Sequence, residues 1–284
     1  MRASAHGVRR EGRLANLSGW LLASDIDGTA LIEEIGVPPQ NIEAVRRFIG
    51  EGGRFTFATG RSRESAYRVS RDFAVNAPMV VLNGSCVMDP QSGEFLIEHP
   101  MPPEIREATG EVLERMDRDH AVMLVTADKY WGVSRSAFGQ RLCQRVLQTP
   151  ICGIYDVKET IYKVLVISET PQEAPAMRQK LGEWYERDFT VVQSGETCVE
   201  LLPKGVSKGS TLLEAAALIG VDRERIAAIG DNENDLEMLR VAALSAAPGS
   251  ADEFVRRRVQ KVLCPCMDGA LAQLIEYLEE QTKE

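Results

Sequence analysis

The sequence predicts an α/β fold in which a parallel sheet is interrupted by an inserted α+β domain. Near both ends of the chain, short apolar runs alternate with helical patterns, as in the βαβ units of a parallel sheet. In the middle, a hairpin-type turn and further strand-like runs indicate antiparallel pairing instead. The length of 284 residues allows two domains of this kind.

The first part of the chain predicts three strands with a helix between each pair. Pro38 and Pro39 open the first helical pattern, and Gly52 and Gly53 close it. The predicted strands are at 20–24, 54–58 and 79–82, and the second, more polar helix runs through residue 71. This order is typical of a parallel sheet.

The pattern changes after residue 83. Runs at 86–88 and 94–97 flank a turn sequence at 89–93, which predicts a β-hairpin. Helical patterns at 103–116, 138–147 and 171–185 then interleave with strand-like runs at 122–126, 162–167, 189–193 and 197–202. We therefore expect an α+β insert over 84–202.

The α/β alternation returns in the last part of the chain. Ser207 can cap a helix at 208–219 that stops at Gly220, residues 226–229 predict a short buried strand, and 269–278 predict a final helix. The predicted core is therefore formed by 20–83 and 203–284. Residues 1–19 are Arg-rich and lack the apolar region of a secretory signal, so a disordered tail is favoured over a transit peptide or a non-native extension.

Composition excludes several classes of protein. A formal net charge of -9 argues against a nonspecific nucleic-acid binder, because such proteins need clustered Lys and Arg. No apolar run approaches the length that spans a bilayer, so we expect no membrane role. The six cysteines show no zinc-binding spacing, and a core of this size needs no disulfides, so we expect a cytoplasmic protein with free thiols.

The first of four polar segments follows the first predicted strand, at the end where an open parallel sheet binds its ligands. It reads Asp25-Ile26-Asp27-Gly28-Thr29, with two carboxylates that point the same way and a glycine that permits an unusual backbone path. Asp25 can attack phosphorus, and Asp27 can protonate the leaving oxygen and later activate water. The alternative is a plain Asp-Gly turn, which the preceding apolar strand makes less favoured.

The second and third segments supply groups that suit a phosphate. Thr59-Gly60-Arg61 offers a hydroxyl and backbone amides at a helix start, although an ordinary turn explains this sequence as well. Lys208 lies just inside a predicted helix N-terminus, where a cation opposes the helix dipole and a compensating anion is expected. The alternative for this lysine is a solvated surface position.

The fourth segment, Gly230-Asp231-Asn232-Glu233-Asn234-Asp235, precedes an apolar helical pattern. Its carboxylates either cap that helix or supply the oxygen ligands that Mg²⁺ prefers. The chemistry favours a metal, because a phosphomonoester repels an attacking carboxylate. At about 4 Å and an effective dielectric constant near 20, each like-charge pair costs about 4 kcal/mol. A divalent cation and Lys208 would offset this repulsion.

In order and spacing, the four segments resemble motifs one to four of the haloacid dehalogenase (HAD) superfamily. The long insert, the Asn83-Gly84 junction and the sequence at 202–209 are similar to the Cof-type branch with a C2-type cap. The resemblance implies a Rossmann-like HAD core, an inserted cap that sets specificity, and Mg²⁺ as cofactor. It implies that the catalytic residues are Asp25 and Asp27, that phosphate or substrate is bound by Gly28, Thr29, Thr59, Gly60, Arg61, Lys208 and Asn234, and that the metal is bound by Asp25, the Asp27 carbonyl, Asp231 and Asp235, directly or through water.

One segment departs from the family pattern. After the fourth motif the family usually has a Gly-Asn-Ala sequence, whereas this chain has Ala-Ala-Pro-Gly-Ser-Ala at 246–251. That loop borders the site in the family, so the departure affects the expected substrate contacts rather than the chemistry. Asp268-Gly269 does fit the branch.

The predicted function is Mg²⁺-dependent hydrolysis of a small phosphorylated metabolite, such as a sugar phosphate, through an aspartyl-phosphate. A phosphomutase is the first alternative, and a catalytically silent phosphometabolite-binding protein is the second. In the insert, Lys129, Arg135 and Lys163 are basic enough to touch an anionic substrate, but a solvated surface position is favoured for each. The sequence predicts neither the individual substrate nor the oligomeric state.

Overall fold

The computed structural model describes residues 16–33, 35–116 and 120–282. The predicted N-terminal tail therefore lies outside the described residues except for its last four. Among these four, Leu17 is fully buried in the core, and its carbonyl accepts a hydrogen bond from the Trp20 amide at 3.1 Å. The packed core thus begins before Trp20.

The described residues form strands and helices in an order that agrees with the α/β prediction. In chain order, the strands are β1 (Leu21–Ser24), β2 (Arg54–Phe57), β3 (Met79–Val81), β4 (Cys86–Met88), β5 (Phe95–Glu98), β6 (His120–Val125), β7 (Tyr130–Gly132), β8 (Lys163–Ser168), β9 (Phe189–Gln193), β10 (Cys198–Pro203), β11 (Ile226–Ile229), β12 (Leu244–Ala247) and β13 (Lys261–Val262). The helices are α1 (Pro39–Gly50), α2 (Arg63–Phe73), α3 (Ile105–Met116), α4 (Ala137–Arg141), α5 (Ala174–Tyr185), α6 (Lys208–Leu218), α7 (Leu236–Val241), α8 (Glu253–Arg256) and α9 (Ala270–Gln281).

A five-stranded parallel sheet forms the centre of the first layer. Its strand order is β13-β12-β11-β1-β2, and each neighbouring pair is parallel. Side chains of β1 alternate between its two faces: Leu22 belongs to the same hydrophobic cluster as Phe48 of α1, whereas Leu21 belongs to that of Leu212 of α6. Burial on both faces explains why this strand reads as a continuous apolar run.

The predicted hairpin is present, and it continues from the parallel sheet. Strands β4 and β5 pair antiparallel with each other, and β4 also pairs with β3, where Val80 is opposite Val87. A parallel bridge between Ala58 and Val80 connects β3 to the end of β2. The segment 86–98 is therefore joined by its hydrogen bonds to β3, before the chain enters the second sheet.

The second sheet is antiparallel, with strand order β7-β6-β8-β10-β9. It has a hydrophobic core of its own, in which Val112 of α3 and Leu181 of α5 are fully buried. The helix predicted at 138–147 begins as α4 and continues as a π-helix over Leu142–Val146. Among the described residues, no helix has both the length and the apolar character needed to cross a bilayer.

The register of the parallel sheet brings three of the polar segments to one edge. Ser24, the last residue of β1, lies opposite Phe57 of β2 and Ile229 of β11. The Asp25 amide then donates to the carbonyl of Ile229 at 3.0 Å, and the Ala58 amide donates to Ser24 at 2.9 Å. The residues that follow each strand therefore meet at the carboxyl end of the sheet.

Candidate active site

A buried lysine joins two carboxylates at this edge of the sheet. Lys208 Nζ lies 2.7 Å from Asp25 Oδ1 and 2.7 Å from Asp235 Oδ1. The side chains of Lys208 and Asp235 are at most 1% exposed, and that of Asp25 is 8% exposed. The lysine predicted to be either a phosphate ligand or a solvated side chain is therefore buried against the proposed nucleophile.

The position of Lys208 follows from local structure at the start of α6. Ser207 caps the helix: its hydroxyl accepts the Ser210 amide at 3.1 Å, and the Ser210 hydroxyl accepts the Ser207 amide at 3.0 Å. Gly209 lies so close to α7 that a Cβ there would come within 2.3 Å of the Glu237 carbonyl carbon. This close packing brings Lys208 to Asp235, which directly precedes α7.

The protonation of this cluster reflects its burial and, secondarily, an excess of carboxylates. Burial raises the pKa of Asp25 well above its usual range; Lys208 opposes this shift, and the carboxylates of Asp235 and Asp231 add to it. Burial alone would lower the pKa of Lys208, but Asp235 and Asp25 outweigh it, so that pKa is raised. Lys208 is therefore cationic at neutral pH.

Asp231 stands beside the same cluster and is held by the first motif. The Thr29 hydroxyl donates to Asp231 Oδ1 at 2.9 Å. Burial, followed by the charge of Asp235, raises the pKa of Asp231 to about 7. Gly28 has φ 78°, and a Cβ there would lie 2.4 Å from Asp231 Oδ2, so this position requires glycine. The fully buried Thr29 thus contacts a carboxylate of the cluster, and its role in binding phosphate or substrate stays a prediction.

Asp235 is held by protein donors at both oxygens. Besides the Lys208 contact, its Oδ2 accepts the amides of Asp231 at 2.9 Å and Asn232 at 3.1 Å. The side chain of Asn232 in turn accepts the Glu233 amide at 2.7 Å. The fourth segment is therefore both a helix cap and an acidic cluster, so the two interpretations of its sequence are compatible.

The donor set of the cluster suits a hard divalent cation. Asp25, Asp231 and Asp235 each offer a carboxylate oxygen, and these atoms lie within 4.8 Å of one another. Asp25 and Asp235 contact the ammonium of Lys208, whereas Asp231 is held by the Thr29 hydroxyl, so the three carboxylates outnumber the cation that pairs with them. Oxygen ligands with this charge are the kind that Mg²⁺ binds.

Asp27 faces the opening of the site and is paired with Arg61. The guanidinium donates through Nε to Asp27 Oδ2 at 2.8 Å and through Nη2 to Oδ1 at 2.5 Å. Asp27 is 49% exposed and Arg61 is 16% exposed. The Arg61 amide donates to the hydroxyl of the buried Thr59 at 3.1 Å. The second motif therefore orients the proposed acid/base, a contact that its sequence does not reveal.

Asn83 is a site residue to which the sequence assigned no chemical role. Its Oδ1 accepts a hydrogen bond from Asn234 Nδ2 at 3.0 Å, so it links the segment after β3 to the fourth motif. Asn83 Nδ2 and Asn234 Oδ1 are buried and have no hydrogen-bond partner among the described residues. Asn83 has φ 58°, a conformation that Asn tolerates better than most residues. The Asn-Gly pair at a strand end is the signal that points to it.

The segment that departs from the family pattern borders the cluster. The Asp252 amide donates to the Asp231 carbonyl at 3.1 Å. Ser250 and Asp252 line a cavity of about 580 Å³ together with Asp231. Its other side includes Gln193 at the end of β9 and Glu196 in the turn between β9 and β10. An effect of this loop on substrate contacts stays a prediction, and Ser250 and the adjoining Asp252 are the residues that would carry it.

One prediction for the insert is wrong. Lys163 is 2% exposed and pairs with Glu200, so it is not a solvated surface lysine. It begins β8, where its side chain extends along the sheet toward the carbonyl of Gly60. Lys129 is exposed, as predicted, and its Nζ lies 5.5 Å from the centre of the Trp131 ring.

Comparison with known proteins gives a consistent family. A family model described as haloacid dehalogenase-like hydrolase matches residues 22–275. The pyridoxal phosphate phosphatase YbhA of Escherichia coli is 26% identical over 267 residues, which cover 90% of this chain and 97% of that protein. The 5-amino-6-(5-phospho-D-ribitylamino)uracil phosphatase YitU of Bacillus subtilis is 22% identical over 261 residues, which cover 90% and 96%.

Solved structures share the fold over nearly the whole length. BT1666 from Bacteroides thetaiotaomicron, a HAD-superfamily phosphatase, superimposes with a TM-score of 0.79 and 20% identity, covering 96% of this chain and 99% of that chain. These findings confirm the fold class, the resemblance to the Cof-type branch and the enzyme class, a phosphomonoester hydrolase. The chain therefore belongs to the haloacid dehalogenase-like hydrolases.

Proposed function

We propose that this enzyme is a Mg²⁺-dependent phosphatase that hydrolyses a small phosphorylated metabolite through an aspartyl-phosphate on Asp25. The observation that carries the proposal is the contact of Lys208 with Asp25 at 2.7 Å, inside a cluster of three carboxylates. The fixed ammonium offsets the repulsion between the attacking carboxylate and a phosphate dianion, and the three carboxylates supply ligands for a divalent cation that would offset it further.

In the first step, an oxygen of Asp25 attacks phosphorus while the bond from phosphorus to the ester oxygen breaks. Lys208 holds Oδ1 of Asp25, so we assign Oδ2 as the attacking oxygen. Asp27 gives its proton to the leaving alkoxide, which departs as an alcohol. The Thr59 hydroxyl, the Gly60 amide and the side chains of Arg61 and Asn234 are proposed to hold the transferring group. The amides of Thr59 and Arg61 already donate to the Val80 carbonyl and the Thr59 hydroxyl.

In the second step, water attacks the phosphorus of the aspartyl-phosphate. Asp27 takes a proton from this water, inorganic phosphate forms, and the Asp25 carboxylate is regenerated. Arg61 holds the Asp27 carboxylate at the open side of the site, where it can accept this proton.

The metal is assigned to the carboxylate cluster. Asp25, the Asp27 carbonyl and Asp231 would contact Mg²⁺, and Asp235 would act directly or through water, since its oxygens already accept protein donors. When bound, Mg²⁺ neutralises the charge that develops on the phosphoryl oxygens. Thr29 and Gly28 then have a shared role in keeping Asp231 in place.

The insert at 84–202, which contains most of the second sheet, is proposed to be a cap that sets specificity and excludes water on closing. The relatives named above are phosphatases for pyridoxal phosphate and for a ribityl-amino-uracil phosphate. These names support a phosphorylated metabolite of similar size, with sugar phosphates in the same range. No role for a nucleic acid or a membrane is proposed.

Phosphate release from a panel of phosphorylated sugars, pyridoxal phosphate and related esters tests the proposal. Release that requires Mg²⁺ and is lost in Asp25→Asn is the expected result, and its rates would rank the substrates. An isomerised phosphoester without free phosphate would indicate a phosphomutase. Binding of an ester without any turnover would indicate a silent binding protein.

A further inference from the structure

A buried lysine of the second sheet reaches the loop that follows β2. Lys163 Nζ donates to the carbonyl oxygen of Gly60 at 2.9 Å. It also lies 3.0 and 2.9 Å from the two carboxylate oxygens of Glu200, on the neighbouring strand β10. Ser194 donates to Glu200 Oε1 at 2.6 Å and fixes that carboxylate. The ammonium therefore connects the second sheet to a backbone atom of the second motif.

The stability of the second sheet alone does not explain why this buried pair is charged. Lys163 and Glu200 are 2% and 4% exposed, and removing such ions from water carries a large desolvation cost. An apolar pair of similar volume generally stabilises a fold as well or better. An apolar side chain, however, has no donor for the Gly60 carbonyl. The feature that the charged pair adds is thus the contact across the two sheets.

That contact fixes one peptide plane of the site. The carbonyl of Gly60 and the amide of Arg61 belong to the same planar peptide unit. Lys163 holds the carbonyl at 2.9 Å, and the Thr59 hydroxyl accepts the amide at 3.1 Å. The plane cannot rotate without losing both hydrogen bonds. The Arg61 side chain branches from the Cα atom next to this peptide. Its two hydrogen bonds to Asp27 therefore depend on the orientation of the peptide plane.

Two other ion pairs also join the second sheet to the core, but they do not touch this peptide. Arg63 pairs with Asp128, and Arg178 pairs with Glu233 at 3.2 Å. Each of these four side chains is at least 25% exposed, and exposed pairs of this kind contribute little, about 0–1 kcal/mol. They can hold the sheets together without orienting Arg61.

We propose that Lys163, held by Glu200, is a positioning residue that couples closure of the second sheet to the orientation of the acid/base Asp27. The inference rests on the proposed function and extends it. When the second sheet moves away from the core, Lys163 leaves with it and the Gly60–Arg61 peptide is released. Asp27 is then oriented for proton transfer only when the site is closed over its substrate.

The test compares a double variant with a matched control. Lys163→Met/Glu200→Met removes the donor without leaving a buried charge unpaired, and Lys180→Met makes the same lysine substitution at an exposed position of α5. We expect kcat for phosphate release to fall at least tenfold in the double variant, with KM changed less than threefold and an altered pH profile. The control is expected to match the wild type.

A second measurement does not depend on turnover. Hydrogen–deuterium exchange in the peptide that contains Gly60 and Arg61 is expected to rise at least fivefold in the double variant and to stay unchanged in Lys180→Met. Lys163→Arg keeps a cationic donor. This variant is expected to retain most of the wild-type kcat and most of the wild-type protection from exchange at Gly60 and Arg61. If the Met pair does not fold, Lys163→Gln/Glu200→Gln keeps a hydrogen-bonded pair in the sheet with a shorter reach to Gly60.

The outcomes separate this inference from the proposed function. A folded double variant with wild-type kcat and wild-type exchange at Gly60–Arg61 would overturn the positioning role of Lys163. Wild-type enzyme that releases no phosphate from any ester would instead overturn the proposed function, and the exchange comparison would still decide whether Lys163 holds the loop.

Discussion

At the scale of single residues, the site depends on which carboxylates are held and which are free to react. Asp25 and Asp235 share one buried ammonium, whereas Asp27 is half exposed and held by Arg61. This difference in environment gives the two aspartates of the first motif separate roles. The buried one suits nucleophilic attack beside a metal, and the exposed one suits proton exchange with substrate and water.

Asp25→Asn is expected to abolish phosphate release, by about a thousandfold or more, because the amide cannot form the aspartyl-phosphate. The fold should remain intact, since Lys208 keeps its partner Asp235 and one carboxylate leaves a repulsive cluster. Phosphate release and thermal unfolding check the two statements together. Substantial turnover by a folded variant would mean that the nucleophile lies elsewhere.

Asp27→Asn is expected to slow both chemical steps by about 10²- to 10⁴-fold, because general acid/base catalysis typically contributes that much. Single-turnover kinetics should show slower formation and slower breakdown of the aspartyl-phosphate, and the pH–rate profile should differ from that of the wild type. An unchanged pH–rate profile, together with weaker binding of the metal, would assign Asp27 to the metal rather than to proton transfer.

At the scale of elements, α6 and α7 determine where Lys208 meets its carboxylates. The two helices approach closely at Gly209, and Lys208 is the residue immediately before it. The sequence predicts α6 and its Ser207 cap, since both depend on local patterns. It does not predict the close approach, because that depends on a contact between segments far apart in the chain.

Gly209→Ala tests this approach. Its Cβ would lie 2.3 Å from the Glu237 carbonyl carbon, so α6 must shift, and we expect a loss of about 1–3 kcal/mol in the free energy of unfolding together with reduced kcat. Gly110→Ala in α3 is the control, because no atom lies within 4 Å of its added Cβ. That substitution should be neutral or slightly stabilising. Equal effects of the two in denaturant unfolding would contradict the account.

The strands that the sequence missed are short or built from small residues. β12 is Leu-Ser-Ala-Ala, β13 has two residues, and β7 ends in glycine, so none shows a clear apolar alternation. The longer or more apolar strands, such as β1 and β11, were predicted. In the site, the same limit applies to Asn83 and Lys163, whose contacts depend on tertiary packing that no local pattern encodes.

At the scale of the whole molecule, the core carries a charge arrangement that folding alone does not favour. Burial and mutual repulsion raise the pKa values of Asp25 and Asp231, the latter to about 7. A carboxyl whose pKa is raised on folding stabilises the folded state below its unfolded pKa of about 4, and this stabilisation is lost as pH rises toward the folded value. In the metal-free protein, the stabilisation from these two carboxyl groups is thus smallest near and above pH 7.

Metal-free protein is therefore expected to lose free energy of unfolding as pH rises from about 4 to about 7. The Asp231→Asn variant, measured over the same range, accounts for the other titrating groups. Mg²⁺ at a hundred times its dissociation constant should restore about 2.7 kcal/mol above pH 7 and much less near pH 5. Urea unfolding with and without Mg²⁺ measures both effects. A Mg²⁺ effect that is the same in Asp231→Asn would place the metal outside this cluster.

Acid-quenched single-turnover reactions, analysed by mass spectrometry of the Asp25 peptide, test the central claim most directly. We expect one phosphoryl group on Asp25 in the wild type with Mg²⁺, a longer-lived adduct in Asp27→Asn, and none in Asp25→Asn. Phosphate release from the wild type with no adduct on Asp25 at any quench time, or an adduct that persists in Asp25→Asn, would contradict the account.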